Sequence, residues 1–157
     1  MDRREFVRSS GAAGIFGLFV AAGLVSPGAA MAQSSGWNAA AFGTKTVDET
    51  YKVMGAQNVA VTKEVSWGST PEIAENGAVV PVTLTSNLPK TESIAFLIEK
   101  NPNILAAQFD IPPGTDPSVS TRVKMGQTSD VYALIKADGK YFVAKREIKV
   151  TLGGCGG

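Results

Sequence analysis

The stretch that decides the fold is VYALIKADGKYFVAKREIKVTL, residues 131–152. At its centre Asp138-Gly139 separates two runs rich in β-branched and aromatic residues, and both positions tolerate the positive φ of a type I′ turn. In the second run Phe142, Ala144, Ile148, Val150 and Leu152 share one parity. That period of two belongs to a strand with one buried face. The stretch therefore predicts an antiparallel hairpin.

Further strand-like runs precede it at residues 59–67, 78–85, 93–99, 104–111 and 118–125. In the first, Val59, Val61, Val65 and Trp67 fall on one side and Thr62, Glu64 and Ser66 on the other. Turn chemistry separates the runs: Asn76-Gly77, Asn87-Leu88-Pro89, Asn101-Pro102-Asn103 and Pro112-Pro113-Gly114. Pro81, inside the second run, predicts an edge or a bulge there, because it has no N–H for a ladder. About seven short strands at this spacing predict an all-β chain, an immunoglobulin-like antiparallel β-sandwich. A single short N-terminal helix is expected over residues 46–54. Thr46 is its N-cap, Asp48 and Glu49 favour the positive end of the helix dipole, and Gly55 takes the left-handed position that ends it. Residues 33–43 read as a loosely ordered lead-in.

The chain has 157 residues, one cysteine and no histidine. A Ser-His-Asp or Cys-His pair and an imidazole metal ligand are therefore excluded, as are an internal disulfide, a CxxC pair and a four-Cys metal site. No metal and no cofactor is expected. A net charge of +1 gives no footprint for nucleic acid.

Residues 1–32 read as an export signal. Arg3-Arg4-Glu5-Phe6-Val7-Arg8 is close to the twin-arginine pattern, with Asp2 where Ser or Thr is usual. A Gly- and Ala-rich apolar run follows from Gly11 to Val25, too short to span a bilayer. Ala30-Met31-Ala32 then offers cleavage before Gln33. Cleavage removes three of the fifteen basic and two of the fourteen acidic residues, leaving 12 of each. The expected organisation is a signal at 1–32, a β-sandwich domain at 33–152 and an arm at 153–157, in a periplasmic protein. The twin-arginine route carries folded proteins, and export together with a partner is one answer to why a chain with no cofactor ligands would use it.

The arm is Gly153-Gly154-Cys155-Gly156-Gly157. Glycines sample most of φ/ψ space and add no side-chain bulk, so backbone and thiol can enter a narrow channel together. An unperturbed thiol is mostly protonated at neutral pH. The nearest cation in sequence is Lys149, and no helix N-terminus adjoins Cys155, so nothing local activates it. Cys155 is therefore poorly suited to catalysis by itself and well suited to covalent attachment on a swinging arm, with activation supplied by the enzyme it enters. An incidental cysteine in a glycine tail, or one that links two chains by a disulfide, are the plainer alternatives.

The tail with its preceding strand, residues 148–157, resembles the SoxY family, the sulfur-carrier subunit of the Sox thiosulfate-oxidising system. The resemblance extends to Pro71-Glu72-Ile73-Ala74-Glu75-Asn76-Gly77, to Val79-Val80-Pro81, to Glu99-Lys100-Asn101-Pro102 and to Ser120-Thr121-Arg122-Val123-Lys124-Met125. It implies a covalent carrier without a catalytic constellation of its own, with Cys155 as acceptor and Gly153, Gly154, Gly156 and Gly157 as the flexible arm. It also implies a heterodimer with a SoxZ-type β-sandwich subunit. Transient docking would follow to the haem enzyme SoxAX, the hydrolase SoxB and, in some organisms, the sulfane dehydrogenase SoxCD.

Glu72 and Glu75 could form an acid–base pair, but their Pro- and Gly-punctuated setting favours turn roles. Lys100, Arg122 and Lys124 could steer an anion or simply face solvent, and Trp37 and Trp67 read as core or partner contacts. Two competing functions share the sequence. A ubiquitin-like carrier would activate the carboxylate of Gly157, which requires cytoplasmic adenylation. An exported immunoglobulin-like module would use Cys155 only for intermolecular disulfides.

Overall fold

The computed structural model describes residues 38–151. Two short helices come first, α1 (Ala39–Phe42) and α2 (Val47–Val53). Nine strands follow: β1 (Ala60–Val61), β2 (Val65–Trp67), β3 (Ile73–Ala74), β4 (Val80–Ser86), β5 (Thr91–Ile98), β6 (Leu105–Asp110), β7 (Ser118–Val123), β8 (Ser129–Ala137) and β9 (Lys140–Val150). The larger sheet runs β1-β9-β8-β5-β6, with β3 also paired to β9, and the smaller runs β2-β4-β7. The immunoglobulin-like sandwich expected from the strand pattern is present.

The hairpin at its centre forms as its turn residues require. Asp138 and Gly139 have φ of 49° and 72°, and Ala137 pairs with Lys140 across the turn. The α2 expectation also holds. The Thr46 hydroxyl accepts from the Glu49 N–H at 3.1 Å, and Gly55 has φ 71°.

Between the sheets, Ile94, Phe96, Ile98, Val131, Ala133, Ile135 and Ile148 of the larger sheet pack with Val80, Val82, Leu84, Val119 and Val123 of the smaller. Each buried aliphatic or aromatic side chain of this size stabilises by about 1.5–3 kcal/mol relative to exposure. The intervening residues of β5 and β8, Ala95, Leu97 and Leu134, face the other way. They pack with Ala41, Ala56, Val47, Tyr51 and Met54. A helical layer thus covers the outer face of the larger sheet, which is why all of Ile94 to Ile98 is buried. Burial pushes the Tyr51 phenol up to about 12, with the negative charge of Tyr132 and Asp48 adding to it.

Four readings need correction. First, the structure has nine strands rather than about seven, because β1, β2 and β3 are only two or three residues long. Second, residues 59–67 are not one strand. The Thr62 hydroxyl accepts from the Glu64 N–H at 3.0 Å, a local turn that breaks the run. Its first half pairs parallel with β9 and its second half antiparallel with β4. Val59 then packs with the helical layer, Val65 and Trp67 with the inter-sheet core, and Val61 faces solvent. Third, β1 and β3 run parallel to β9, so the sheets are not wholly antiparallel. Fourth, the lead-in contains α1, capped by the Asn38 side chain accepting from the Ala41 N–H at 3.1 Å. Pro81 pairs with Arg122 of β7, while β2 reaches only Leu84 to Ser86 of β4. β4 lacks a second strand neighbour at Pro81, in keeping with the edge reading.

Candidate functional site

Cys155, Gly153, Gly154, Gly156 and Gly157 lie outside the described residues, as do residues 1–32, read from sequence as an export signal, and Trp37. What the structure describes is the root of the arm, the end of β9. β8 pairs with one edge of β9, ending at Ser129↔Ile148. β3 pairs with the other edge, with Ile73 opposite Lys149 and Ala74 opposite Val150. The Lys149 N–H donates to the Glu72 carbonyl at 2.9 Å, and the Thr151 N–H to the Ala74 carbonyl at 3.0 Å. The Val150 N–H donates to the Thr128 hydroxyl at 3.0 Å. The chain is thus held by backbone bonds to its last described residue.

Gly77 completes this clamp. A β-carbon there would collide with the Met125 carbonyl oxygen and with Val150 Cγ1. The Met125 N–H donates to the Gly77 carbonyl at 2.7 Å. Asn76 accepts from the Ala78 N–H at 2.9 Å, which sets the turn that brings Gly77 in. Asn101 joins a third loop to the same end: its amide donates to the Lys124 carbonyl at 2.7 Å and its side-chain oxygen accepts from the Gly126 N–H at 3.4 Å. The four separated segments that carry the sequence resemblance therefore meet at one end of the sandwich, around the strand that leads into Cys155.

Glu72 and Glu75 flank β3 (Ile73–Ala74), in keeping with the turn and loop roles expected of them. Both are exposed, and Glu72 lies 3.6 Å from Arg146. Its carbonyl, not its carboxylate, does the clamping. Lys100, Arg122 and Lys124 are all exposed at or near this end. Trp67 is half-buried against the inter-sheet core. Among the described residues no cluster of three or more carboxylates, thiols or imidazoles could hold a metal ion.

Two residues at the root are not evident from sequence alone. Thr128 is one. Arg146 is the other: it occupies an inward-parity position of β9 and donates to the Thr70 carbonyl at 3.1 Å. Its signal is the interruption of the apolar parity between Ala144 and Ile148. On the flank, Lys145 contacts Asp130 at 2.9 Å. That hydrogen bond and the carboxylate's charge raise the lysine above its ordinary value. An exposed pair of this kind contributes little to stability, so the backbone bonds hold the root.

A cleft of about 540 Å³ lies at the opposite end, lined by Leu88, Lys90, Ile111, Pro112 and Asp138 among others. β9 has 11 residues, so roughly 33 Å separates its two ends at about 3.3 Å per residue. Cys155 is four residues beyond Thr151 and reaches at most about 14 Å from it. The cleft is therefore outside the arm's range.

The family model described as sulfur oxidation protein SoxY matches residues 50–155. Among solved structures, the sulfur carrier protein SoxY from Chlorobium limicola f thiosulfatophilum is similar at 34% identity and a TM-score of 0.60. That similarity covers 67% of this chain and 94% of the other. A superoxide reductase (neelaredoxin) from Ignicoccus hospitalis has 16% identity and a TM-score of 0.48, covering 59% of this chain and 95% of the other. No curated protein matches the sequence. The family match spans both the clamped root and Cys155, and the chain belongs to the SoxY family.

Proposed function

We propose that this chain is a periplasmic sulfur carrier for thiosulfate oxidation, exported by the twin-arginine route, with Cys155 as its covalent attachment point. The observation that carries the reading is the family match running to residue 155, five residues beyond a strand end clamped from two sides. The solved relative from Chlorobium limicola is itself a sulfur carrier protein. The absence of histidine and the single cysteine suit a subunit that leaves catalysis to its partners.

Two steps describe the chemistry. In loading, the Cys155 thiol and thiosulfate form an S–S bond, releasing one proton and two electrons to the SoxAX-type haem enzyme. The product is a cysteine S-thiosulfonate. In release, a SoxB-type hydrolase adds water to the terminal sulfone, which departs as sulfate with two protons and leaves a persulfide anion on Cys155. A SoxCD-type dehydrogenase oxidises that sulfur further where one is present. A SoxZ-type β-sandwich subunit, exported with the folded carrier, completes the heterodimer. Gly153, Gly154, Gly156 and Gly157 give the thiol the freedom to enter each active site.

Peptide mass spectrometry after growth on thiosulfate tests this. Reductant-labile sulfur adducts are expected on the Cys155 peptide, and a Cys155→Ser strain should not oxidise thiosulfate. An unmodified Cys155, or full oxidation by that strain, refutes the reading. Disulfide dimers as the sole modification favour the cross-linking alternative.

A further inference from the structure

Asn76-Gly77 is the one Asn-Gly pair in the chain. The other asparagines, Asn38, Asn58, Asn87, Asn101 and Asn103, precede Ala, Val, Leu, Pro and Ile. A main-chain nitrogen that could attack the preceding side chain is normally shielded by the β-carbon of its own residue, and Gly77 has none. Asn76 is exposed, so water reaches its carboxamide.

The turn also arranges the two reacting groups. The Asn76 side-chain oxygen accepts from the Ala78 N–H at 2.9 Å. That bond folds the carboxamide back along the main chain, on the side of the Gly77 nitrogen, and draws electron density from its carbon. Among the described residues neither the Gly77 N–H nor the Asn76 side-chain amide donates to a protein acceptor. The contacts that hold the glycine fall elsewhere on it. Its carbonyl accepts from the Met125 N–H at 2.7 Å, and the Met125 oxygen and Val150 Cγ1 crowd the place of a β-carbon. The nitrogen therefore carries no bond that a reaction there would have to break.

We propose that Asn76 is a site of spontaneous modification, a deamidation whose products open the clamp at the root of the arm. The Gly77 nitrogen loses its proton and bonds to the side-chain carbonyl carbon of Asn76. The bond from that carbon to Nδ2 breaks, and ammonia leaves with the proton. The cyclic imide then takes up one water. Opening at the side-chain carbonyl gives aspartate, opening at the main-chain carbonyl gives isoaspartate, and no electrons are exchanged. Isoaspartate routes the main chain through Cβ and adds a carbon ahead of Gly77, where the Met125 oxygen and Val150 leave no room for a shift. Either product adds a negative charge to a segment that already exposes Glu72 and Glu75, and like charges this close repel. The Met125–Gly77 bond is lost, and the bonds from Lys149 and Thr151 to the carbonyls of Glu72 and Ala74 weaken with it. The inference needs nothing from the carrier reading, since it concerns where the chain leaves the sandwich.

The purified mature chain, incubated at mildly alkaline pH, tests this by peptide mass spectrometry. The Asn76 peptide should gain the mass of an amide-to-acid exchange at least fivefold faster than any peptide carrying another asparagine. Conversion at Asn76 no faster than elsewhere overturns the site. Asn76→Ser keeps an oxygen for the Ala78 N–H and has no carboxamide to lose, so it should form no acidic species over the same period. Acidic species from Asn76→Ser at the wild-type rate place the change elsewhere and overturn the site too. The converted chain is then separated by its added charge on an anion exchanger. Its Met125 amide hydrogen should exchange at least tenfold faster than in the unconverted chain, with the Phe96 amide in β5 unchanged. Equal exchange at Met125 in the two forms overturns the opening of the clamp.

Discussion

Thr128 holds both polar groups of Val150. Its hydroxyl accepts from the Val150 N–H at 3.0 Å and donates to the Val150 carbonyl at 3.5 Å. A side chain 22 residues upstream thus bonds the last residue of β9 at the edge where β8 has already ended at Ser129.

Thr128→Val keeps the shape and removes both bonds. Loss of a part-buried hydrogen bond to a backbone N–H costs about 1–2 kcal/mol, or a thermal midpoint lower by roughly 4–10 °C in a small domain. Hydrogen exchange at the Val150 amide should accelerate more than exchange in β5. Equal protection of Val150 in variant and wild type would show that β3 alone fixes the root.

Gly77→Ala places a methyl group against the Met125 carbonyl and Val150 Cγ1. Overpacking of this kind costs about 1–3 kcal/mol, read as a lower urea midpoint. Gly126→Ala is the control, since nothing lies near its added carbon, and it should stay within about 0.5 kcal/mol. Similar midpoints for the two variants would mean that the close approach at Gly77 relaxes freely.

Gly154→Val and Gly156→Val should leave the thermal midpoint unchanged, because both positions follow the clamped end of β9 in the chain. Enzymatic loading of Cys155 should slow several-fold in each, while its reaction with a small thiol reagent stays constant. Unchanged enzymatic loading refutes the role given to these glycines.

Tyr51 provides a pH signature of the helical layer. Burial raises its phenol to about 12 from 10.0. The folded state then holds this proton more tightly than the unfolded state. The stabilisation is therefore complete below pH 10 and is lost as pH rises through about 12. Tyr51→Phe should flatten the fall in urea midpoint over that interval relative to wild type. Parallel pH profiles would place Tyr51 in a wetter setting than the packed layer implies.

Local conformational preference is what the sequence by itself determined. Asp138-Gly139 makes its hairpin, Thr46 its cap and Gly55 its helix end, because each depends on the φ/ψ range and short-range hydrogen bonds of a few neighbours. The runs of β4 to β9 were legible as apolar, β-rich stretches bounded by turn residues, and in β4 and β9 one buried face imposes a period of two. The position of the lone thiol among glycines at the chain's end was equally plain. Tertiary structure decided where residues 59–67 divide between the sheets, since a strand's parity does not name its partner. It also decided that Ile73 and Ala74 form a strand at all, because two residues are a strand only when β9 lies alongside. The same holds for the root of the arm. Glu72, Gly77, Asn101, Met125 and Thr128 are far apart in the chain and act together only because the fold closes their loops around Val150. Loop closure depends on contacts distant in sequence, and no window of sequence contains them.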